Sequence, residues 1–181
     1  MNKKLKIFIA LTLALQLLIP SCILVYNKEI TDNAIRNGTE YSFRLNHLYL
    51  NRSLTPETEN YSLYFHISSG NFNFYYADEI SVTVNPNGFA SLSRRKNTDT
   101  DDCWFTYKSL CNTMTQPDDS FSPAEGLTYR ELFLTLNQLK NEEDYTLPDR
   151  AYVTAKVYKG MFIPTAIYLD GEKILTISIT P

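Results

Sequence analysis

The chain has 181 residues, enough for one domain and a short additional segment. Hydrophobic residues make up 44% of it and charged residues only 20%, so a sizeable core is expected and global disorder is not. The net charge of −3 excludes the basic footprint of a nucleic-acid-binding protein. The 13 Tyr and 10 Phe favour β-structure, in which aromatic side chains are enriched.

The first 26 residues combine a basic start with a long uncharged stretch. Three lysines lie among the first six residues, and the 20 residues Ile7–Tyr26 carry no charge. As a helix this stretch would extend roughly 30 Å, about the thickness of the hydrocarbon core of a bilayer. Gln16 and Pro20 interrupt it, but membrane helices tolerate a single proline. We therefore predict that Ile7–Tyr26 crosses a membrane once and contacts its lipid.

The same lysines predict the orientation of the chain. Basic residues before a membrane span favour the cytoplasmic side, so the rest of the chain is expected in the periplasm or outside the cell. The predicted organisation is a cytoplasmic head and transmembrane anchor over residues 1–27 and an extracytoplasmic β domain over residues 38–181. Lys28–Asn37 is predicted to extend the helix, which Gly38 ends.

Other interpretations of the N-terminus remain open. A cleaved secretory signal would need small residues at alternate positions, and no convincing site precedes Tyr26. A lipoprotein signal would make Cys22 the acylated residue, but Pro20 and the continued apolar run argue against it. A buried core helix would also explain an apolar segment. The uncleaved anchor is the interpretation that we favour.

The soluble part contains two of the three cysteines. Seven residues separate Cys103 and Cys111, and an extracytoplasmic location permits a disulfide between them. It would contribute roughly 2–3 kcal/mol because the loop that it closes is short. Two free thiols are the equally favoured alternative. A metal site is less favoured, because the only histidines, His47 and His66, do not neighbour these cysteines in sequence.

Alternating and aromatic segments predict β-strands through the middle of the chain. Tyr41, Phe43 and Leu45 alternate with polar residues, the pattern of a half-buried strand. Further strands are predicted at Tyr61–Ile67, Asn71–Tyr76, Ile80–Val84, Phe89–Ser93 and Trp104–Leu110. Asn85–Gly88 is a strong turn signal, and Asn51–Glu59 is predicted to be a polar loop.

The next two segments differ in character. Asn112–Gly126 is rich in Thr, Asp, Ser and Pro, and is predicted to be the longest loop. Three leucines of Tyr129–Asn141 recur at near-helical spacing and predict one short soluble helix. A strand fits almost as well, because Phe133 and Thr135 match a strand pattern.

The last segment of the chain has the clearest pattern. Ala151–Tyr158, Met161–Leu169 and Lys173–Ile179 are predicted strands, joined by turns at Lys159-Gly160 and Asp170-Gly171. Asp-Gly is a strong hairpin signal, since both positions of a tight turn favour positive φ. We predict an antiparallel meander here. The predicted fold class is therefore mainly β, an antiparallel sandwich or partly open barrel, with one N-terminal transmembrane helix.

Several local features follow one another in a recognisable order. Gln16 lies in the apolar run, Gly38 follows the polar stretch, and Tyr41, Phe43 and Arg44 form a Y-x-F-R strand. Near the C-terminus, Tyr152–Gly160 (YVTAKVYKG) and Ile167–Gly171 (IYLDG) both end on glycine and include the residues Gly160, Tyr168, Asp170 and Gly171.

Together with a short Gly88–Ala90 segment, these features resemble the GDYXXLXY-domain family of small bacterial membrane-anchored proteins over about half the chain. The name-giving motif itself is degenerate: its remnant is Asn60, Tyr61, Tyr64 and His66, of which Tyr61 matches the motif tyrosine. The resemblance implies the fold and the membrane location. It also implies, for some members, association with polytopic membrane proteins, but no reaction.

Few side chains suggest chemistry. Asp99, Asp101 and Asp102 could bind a divalent cation through their oxygens, but no glycine-punctuated calcium loop accompanies them, and a solvated loop is favoured. His66 could act as a general base, but spacing identifies no Ser or Cys nucleophile to pair with it. A hydrogen-bonded strand histidine is favoured. We predict no enzyme and no catalytic, cofactor or metal site.

The aromatic residues of two neighbouring segments allow two interpretations. They are Tyr61, Tyr64, Phe65, Phe72, Phe74, Tyr75 and Tyr76. Aromatic pairs in a β core are favoured, and a contact surface for a partner or lipid headgroups is the alternative.

The sequence does not identify an activity. We expect a membrane-anchored extracytoplasmic accessory or interaction domain whose partner is a polytopic membrane protein. The alternative is an extracytoplasmic module, lipoprotein-like, that binds a glycan or another ligand.

Overall fold

The computed structural model describes residues 3–54, 59–70, 72–75, 78–96, 98, 100–115, 120–140 and 147–178, with the backbone alone for 3–11, 13–15, 17, 24, 27, 115, 120, 140 and 148. One long helix, α1 (Lys3–Asn37), opens the chain, and mainly β-structure follows. The strands described are β1 (Thr39–Leu54), β2 (Glu59–Ile67), β3 (Glu79–Val84), β4 (Ala90–Arg94), β5 (Trp104–Thr106), β6 (Cys111–Thr115), β7 (Ser120–Pro123), β8 (Ala151–Tyr158), β9 (Met161–Leu169) and β10 (Glu172–Ser178). The shorter helices are α2 (Tyr129–Lys140), α3 (Leu147–Arg150) and a 3₁₀ turn at Tyr107–Leu110.

The strands form two antiparallel sheets. Seven strands in the order β6-β2-β1-β8-β9-β10-β7 make a curled sheet that closes half of a barrel, and β4-β3-β5 make a smaller second sheet. This architecture confirms the mainly β prediction. The β8–β9–β10 meander is also confirmed, with the predicted turns in place. Lys159, Gly160, Asp170 and Gly171 all have positive φ, as two-residue hairpin turns require.

Helix α1 ends before Gly38, as the sequence predicts. The amide of Gly38 donates to the carbonyl of Ala34 at 2.9 Å, and a β-carbon at residue 38 would lie 2.3 Å from that oxygen, so only glycine fits. Ala34 is fully buried, and the ammonium of Lys156 on β8 donates to the carbonyl of Ile35. Among the residues whose side chains the structure describes, no helix is long and apolar enough to cross a membrane.

Four local predictions were wrong. The segment predicted as a loop at Asn51–Glu59 is strand at both ends, because Asn51–Leu54 belongs to β1 and Glu59 begins β2. Phe72–Tyr75, the described part of the strand predicted at Asn71–Tyr76, has no regular structure, and Trp104–Leu110 changes from strand to 3₁₀ helix after Thr106. The loop predicted at Asn112–Gly126 contains β6 and β7, the two edges of the large sheet. An edge strand pairs on one side only, so its polar side chains stay in solvent and its sequence resembles a loop.

Helix α2 confirms the helical interpretation of its segment. Leu132, Leu136 and Leu139 are buried, and the helix packs on β1 and β7. A capping box begins it: the backbone N–H of Glu131 donates to the hydroxyl of Thr128 at 3.2 Å, and the N–H of Thr128 donates to the Glu131 carboxylate at 2.8 Å. This T-x-x-E signal distinguishes the helix from the strand that the sequence analysis left open.

Three phenylalanines join the two sheets. The ring of Phe105, from the small sheet, lies 5.9 Å from that of Phe43 and 5.2 Å from that of Phe162, both in the large sheet, and all three rings are buried. These contacts have the edge-to-face and tilted geometry favoured by aromatic pairs.

Of the aromatic group of the sequence analysis, Tyr61 and Phe65 are buried, as the core interpretation predicts, whereas Tyr64, Phe72 and Tyr75 are exposed. Tyr76 lies outside the described residues.

Candidate functional site

A cleft of about 280 Å³ opens between the two sheets. β1 and the loop after β2 form one wall, and the β3–β4 hairpin forms the other. The lining residues are Phe43, Arg44, Ser68, Ser69, Gly70, Phe72, Asn85, Phe89, Ala90, Ser91 and Leu92. Its volume is close to the lower limit for small-molecule sites, so it suits a small ligand or one side chain of a partner.

Backbone contacts hold the walls of the cleft together. The amide of Ser68 donates to the carbonyl of Arg44 at 2.7 Å, which ties the loop after β2 to β1. On the other wall, a β-bridge pairs Ser42 with Phe89, immediately after the turn that Gly88 makes with positive φ. The sequence predicted this turn, and the turn places Phe89 against β1.

The guanidinium of Arg44 is the principal charge in the cleft. It lies 4.6 Å from the centre of the Phe89 ring and donates to the carboxylate of Asp149 at 2.6 Å. Phe89 also meets Tyr152 edge to face at 5.4 Å, and Tyr152 stacks on Tyr168 at 4.7 Å. Burial, followed by the neighbouring Tyr168, raises the pKa of Tyr152, so this tyrosine stays neutral.

The cation and the aromatic rings of this cleft suit the binding of an anionic group. The side chain of Asp149 is mostly exposed, and such an ion pair contributes little to stability, so a ligand anion can replace the aspartate at low cost. Phe72 and Phe89 add flat apolar surface beside the cation. None of the described lining residues is Asp, Glu, His or Cys, so these residues offer three serine hydroxyls but no general base.

The outer face of β1 and β2 carries a second group of chemically distinctive side chains. His47 and His66 are cross-strand partners with rings 5.9 Å apart, and Tyr49 and Tyr64 stack beside them at 4.9 Å. Burial, and then His47, lower the pKa of His66. Cys111 pairs with His66 from β6. Even so, the part of the chain that the structure describes holds no group of three His, Cys, Asp or Glu side chains arranged to bind a metal ion.

The structure divides the residues of the motif remnant between two faces of β2. Asn60, Tyr64 and His66 lie on the outer face, whereas Tyr61 is buried and stacks on Tyr129 of α2 at 5.2 Å. The remnant therefore does not converge on one site. Tyr61 packs the core, and its three companions are accessible to solvent or a partner.

The cysteines and aspartates of the sequence analysis are also separated. Cys22, Cys103 and Cys111 are free thiols in the structure, so the candidate pair Cys103 and Cys111 is not joined. The thiol of Cys103 lies 3.7 Å from the hydroxyl of Thr39 on β1, whereas Cys111 begins β6 at the edge of the large sheet. The carboxylate of Asp101 accepts the backbone N–H of Cys103.

Asp102 forms an ion pair, in which its carboxylate lies 3.3 Å from the ammonium of Lys159. Asp99, the remaining member of the predicted acidic group, lies outside the described residues. These roles are structural and do not assemble the cation site that the sequence analysis considered.

Sequence reasoning missed the cleft. Arg44 and Phe89 are 45 positions apart, and no spacing rule connects an arginine on one strand with a phenylalanine after a distant turn. Both residues lie in segments on which the sequence analysis based its expected family resemblance, but that resemblance implied no site. No family model, no curated protein and no solved structure matches the chain.

Proposed function

We propose that this protein is a membrane-anchored accessory domain that binds an integral membrane protein. The observation that carries this proposal is that α1 is one continuous helix whose last turn is docked on the β domain. A helix of this kind would hold the domain at a fixed distance and in a fixed orientation, which suits a protein that meets a neighbour in the same membrane.

The length of α1 supports an anchor that continues into a stalk. Its 35 residues extend about 52 Å at the usual helical rise. The uncharged stretch Ile7–Tyr26 would occupy roughly 30 Å of that length, as a bilayer core requires. The remaining turns, up to Asn37, carry Lys, Glu, Asp and Arg side chains that suit the membrane surface and the water beyond it.

The junction between the stalk and the domain supports a rigid connection. Ala34 is buried against the sheet, and Lys156 donates to the carbonyl of Ile35, one of the helix-end carbonyls that have no partner within the helix. Gly38 turns directly into β1 with no linker residues. A flexible tether would instead contain several residues without regular structure.

The cleft offers the surface for the partner. Arg44 provides one cation, and the side chain of Phe72 is 53% exposed beside it. Interfaces are enriched in arginine and aromatic residues because these combine large contact areas with directional contacts. An acidic or carbonyl-rich loop that carries an apolar side chain is the partner segment that this cleft fits.

Two measurements in native membranes test the proposal. Leu13→Lys places a charge in the centre of the predicted span, and we expect it to release the protein from membranes washed with alkaline carbonate. Asn37→Lys adds the same charge at the end of the stalk and should leave the protein embedded. Release of both variants, or retention of both, would contradict the anchor.

The partner is tested by photo-crosslinking in the same membranes. A benzophenone amino acid at Phe72 is expected to give an adduct with a membrane protein, whereas the same probe at Lys173, an exposed residue of β10, should not. If the embedded protein yields only uncrosslinked monomer from both positions, the accessory function is wrong.

The outer face of β1 and β2 favours a second candidate, a glycan-binding module. Tyr49 and Tyr64 present a pair of parallel rings on this face, and exposed apolar surfaces of this kind often mark ligand sites. Oligomers of N-acetylglucosamine are a suitable probe. Chemical-shift changes at Tyr49 that disappear in Tyr64→Ala, but persist in Phe72→Ala, would support this function over the first.

A further inference from the structure

We propose that the groove between α1 and the β8–β9 turn binds the headgroup of an anionic phospholipid. This inference rests on the proposed membrane anchoring, and it names the lipid class that the anchored domain contacts. The groove has a volume of about 300 Å³ and is lined by Tyr26, Ile30, Asn33, Tyr158 and Lys159.

The helical side of the groove is one continuous face of α1. Tyr26, Ile30 and Asn33 occupy positions i, i+4 and i+7, which lie on the same side of a helix. Tyr26 and Ile30 give this face an aromatic and an aliphatic side chain, and Asn33 gives it an amide at the end further from the uncharged stretch. The polar end of the face is therefore the end that would lie further from the hydrocarbon core.

The height of the groove places it at the membrane surface. Tyr26 is the last residue of the uncharged stretch, and Asn33 lies seven residues further along the helix, or about 10 Å. The headgroup layer on each side of a bilayer is roughly 5–8 Å thick. The groove therefore begins where the hydrocarbon ends and extends through the depth at which lipid phosphates lie.

The topology brings the β domain down to the same level. β1 leaves the end of α1 at Thr39, and β8 runs antiparallel to it, with Val157 opposite Thr39. The β8–β9 turn, which contains Lys159 and Gly160, must therefore lie beside the end of the stalk. In an anchored protein β1 would lead away from the membrane, and the antiparallel β8 would return toward it. The β8–β9 turn would therefore lie on the membrane side of the large sheet.

The charge of the groove suits a phosphate. The ammonium of Lys159 lies 5.2 Å from the ring centre of Tyr158 and 3.3 Å from the carboxylate of Asp102. Both charged side chains of this ion pair are about half exposed, so the pair is weak and a lipid phosphate can take the place of the aspartate. Tyrosine and lysine together are typical of side chains at the headgroup level.

The only tryptophan of the chain gives a direct readout. Trp104 lies over Gly160, the residue after Lys159, and accepts the N–H of Gly160 with its backbone carbonyl at 2.9 Å. The full chain is reconstituted in phosphatidylcholine vesicles, and phosphatidylglycerol is then added in increasing proportion. We expect the emission of Trp104 to change with the fraction of phosphatidylglycerol and to saturate.

Substitutions of the ion pair should act in opposite directions. Lys159→Asn should weaken the response to phosphatidylglycerol about fivefold, and asparagine tolerates the positive φ of this position. Asp102→Asn removes the competing carboxylate and should strengthen the response. Lys173→Asn removes an exposed lysine outside the groove and should leave it unchanged.

Resistance to alkaline carbonate, measured on the same vesicles, separates the two proposals. If the protein is not embedded, the proposed anchoring is wrong. If it is embedded and Trp104 does not respond to phosphatidylglycerol, or if Lys159→Asn and Lys173→Asn respond alike, the headgroup site is wrong while the anchoring stands.

Discussion

Gly160 lies directly beneath the indole of Trp104: a β-carbon at residue 160 would come within 2.9 Å of Cη2 of the tryptophan. Trp104 belongs to β5 of the small sheet, and Gly160 belongs to the turn between β8 and β9 of the large sheet. Phe105 forms a β-bridge to the same glycine. The small sheet is therefore fastened to the large one at a position where no side chain fits.

This contact predicts that Gly160→Ala is more damaging than its backbone angle alone implies. The methyl group adds a clash with the indole to the strain of positive φ, and the loss of unfolding free energy should be about 2–4 kcal/mol. Gly171→Ala is the matched control, because Gly171 has a similar φ but open space around it. Chemical denaturation measures both, and equal losses would show that the indole moves aside.

The aromatic junction between the sheets predicts a large effect of Phe105→Ala. The ring is fully buried against Phe43 and Phe162, and truncation should cost about 3–5 kcal/mol. Phe72→Ala removes the same ring from an exposed position and should change stability by no more than about 0.5 kcal/mol. Thermal unfolding of the two variants measures this difference. Equal losses of stability in both would contradict the prediction.

The capping box of α2 predicts that Thr128→Ala destabilises the domain by about 1 kcal/mol, because one helix-start N–H loses its hydroxyl acceptor. Thr128→Ser keeps the acceptor and should retain most of the stability. The hydrogen bonds from Thr128 lower the pKa of Glu131, and removal of the hydroxyl should bring it back toward its ordinary value. Carbon-detected NMR titration of Glu131 measures that change.

The lowered pKa of His66 predicts that the free energy of unfolding decreases at mildly acidic pH. This pKa is lowered in the folded state by burial and by His47, so between that value and the ordinary value near 6.5 the unfolded chain binds a proton that the folded chain does not. The free energy of unfolding should therefore decrease as the pH falls through this window. In His66→Gln the free energy of unfolding should vary less with pH in this window. If the variant keeps the same slope, other groups cause the pH dependence.

The helix junction predicts that Lys156→Met loosens the end of α1. Without the ammonium, the carbonyl of Ile35 loses its partner, and the last turn should open more often. Hydrogen exchange at the amide of Gly38, which donates to Ala34, should accelerate roughly tenfold. Lys173→Met on β10 is the control. Protection that is equal in both variants would mean that packing of Ala34 alone holds the helix.

Local signals in the sequence accounted for much of the fold. The Gly38 boundary, the Asn85–Gly88 turn and the two C-terminal hairpin turns were predicted at their observed positions, because each depends on backbone angles that a few neighbouring residues determine. The strand Tyr61–Ile67 was also predicted, since alternation records which face of a strand is buried.

The predictions that failed here concern segments whose structure depends on pairing with distant strands. The edge strands Cys111–Thr115 and Ser120–Pro123 exist only because β2 and β10 offer unpaired backbone groups to them. The aromatic run from Phe72 to Tyr75 finds no such partner strand and stays irregular, although its composition favours a strand. In both cases tertiary context outweighed local propensity.

By itself, the sequence determined the sites of turns, the helix boundary and the alternation of buried and exposed positions, because these properties are set within a few bonds of each residue. The tertiary structure alone decided that Arg44 meets Phe89, that His47 stacks on His66 and that Lys159 and Tyr26 line the same groove. Such contacts join residues far apart in the chain. They depend on the order and register of strands, which arise only when the whole core packs together.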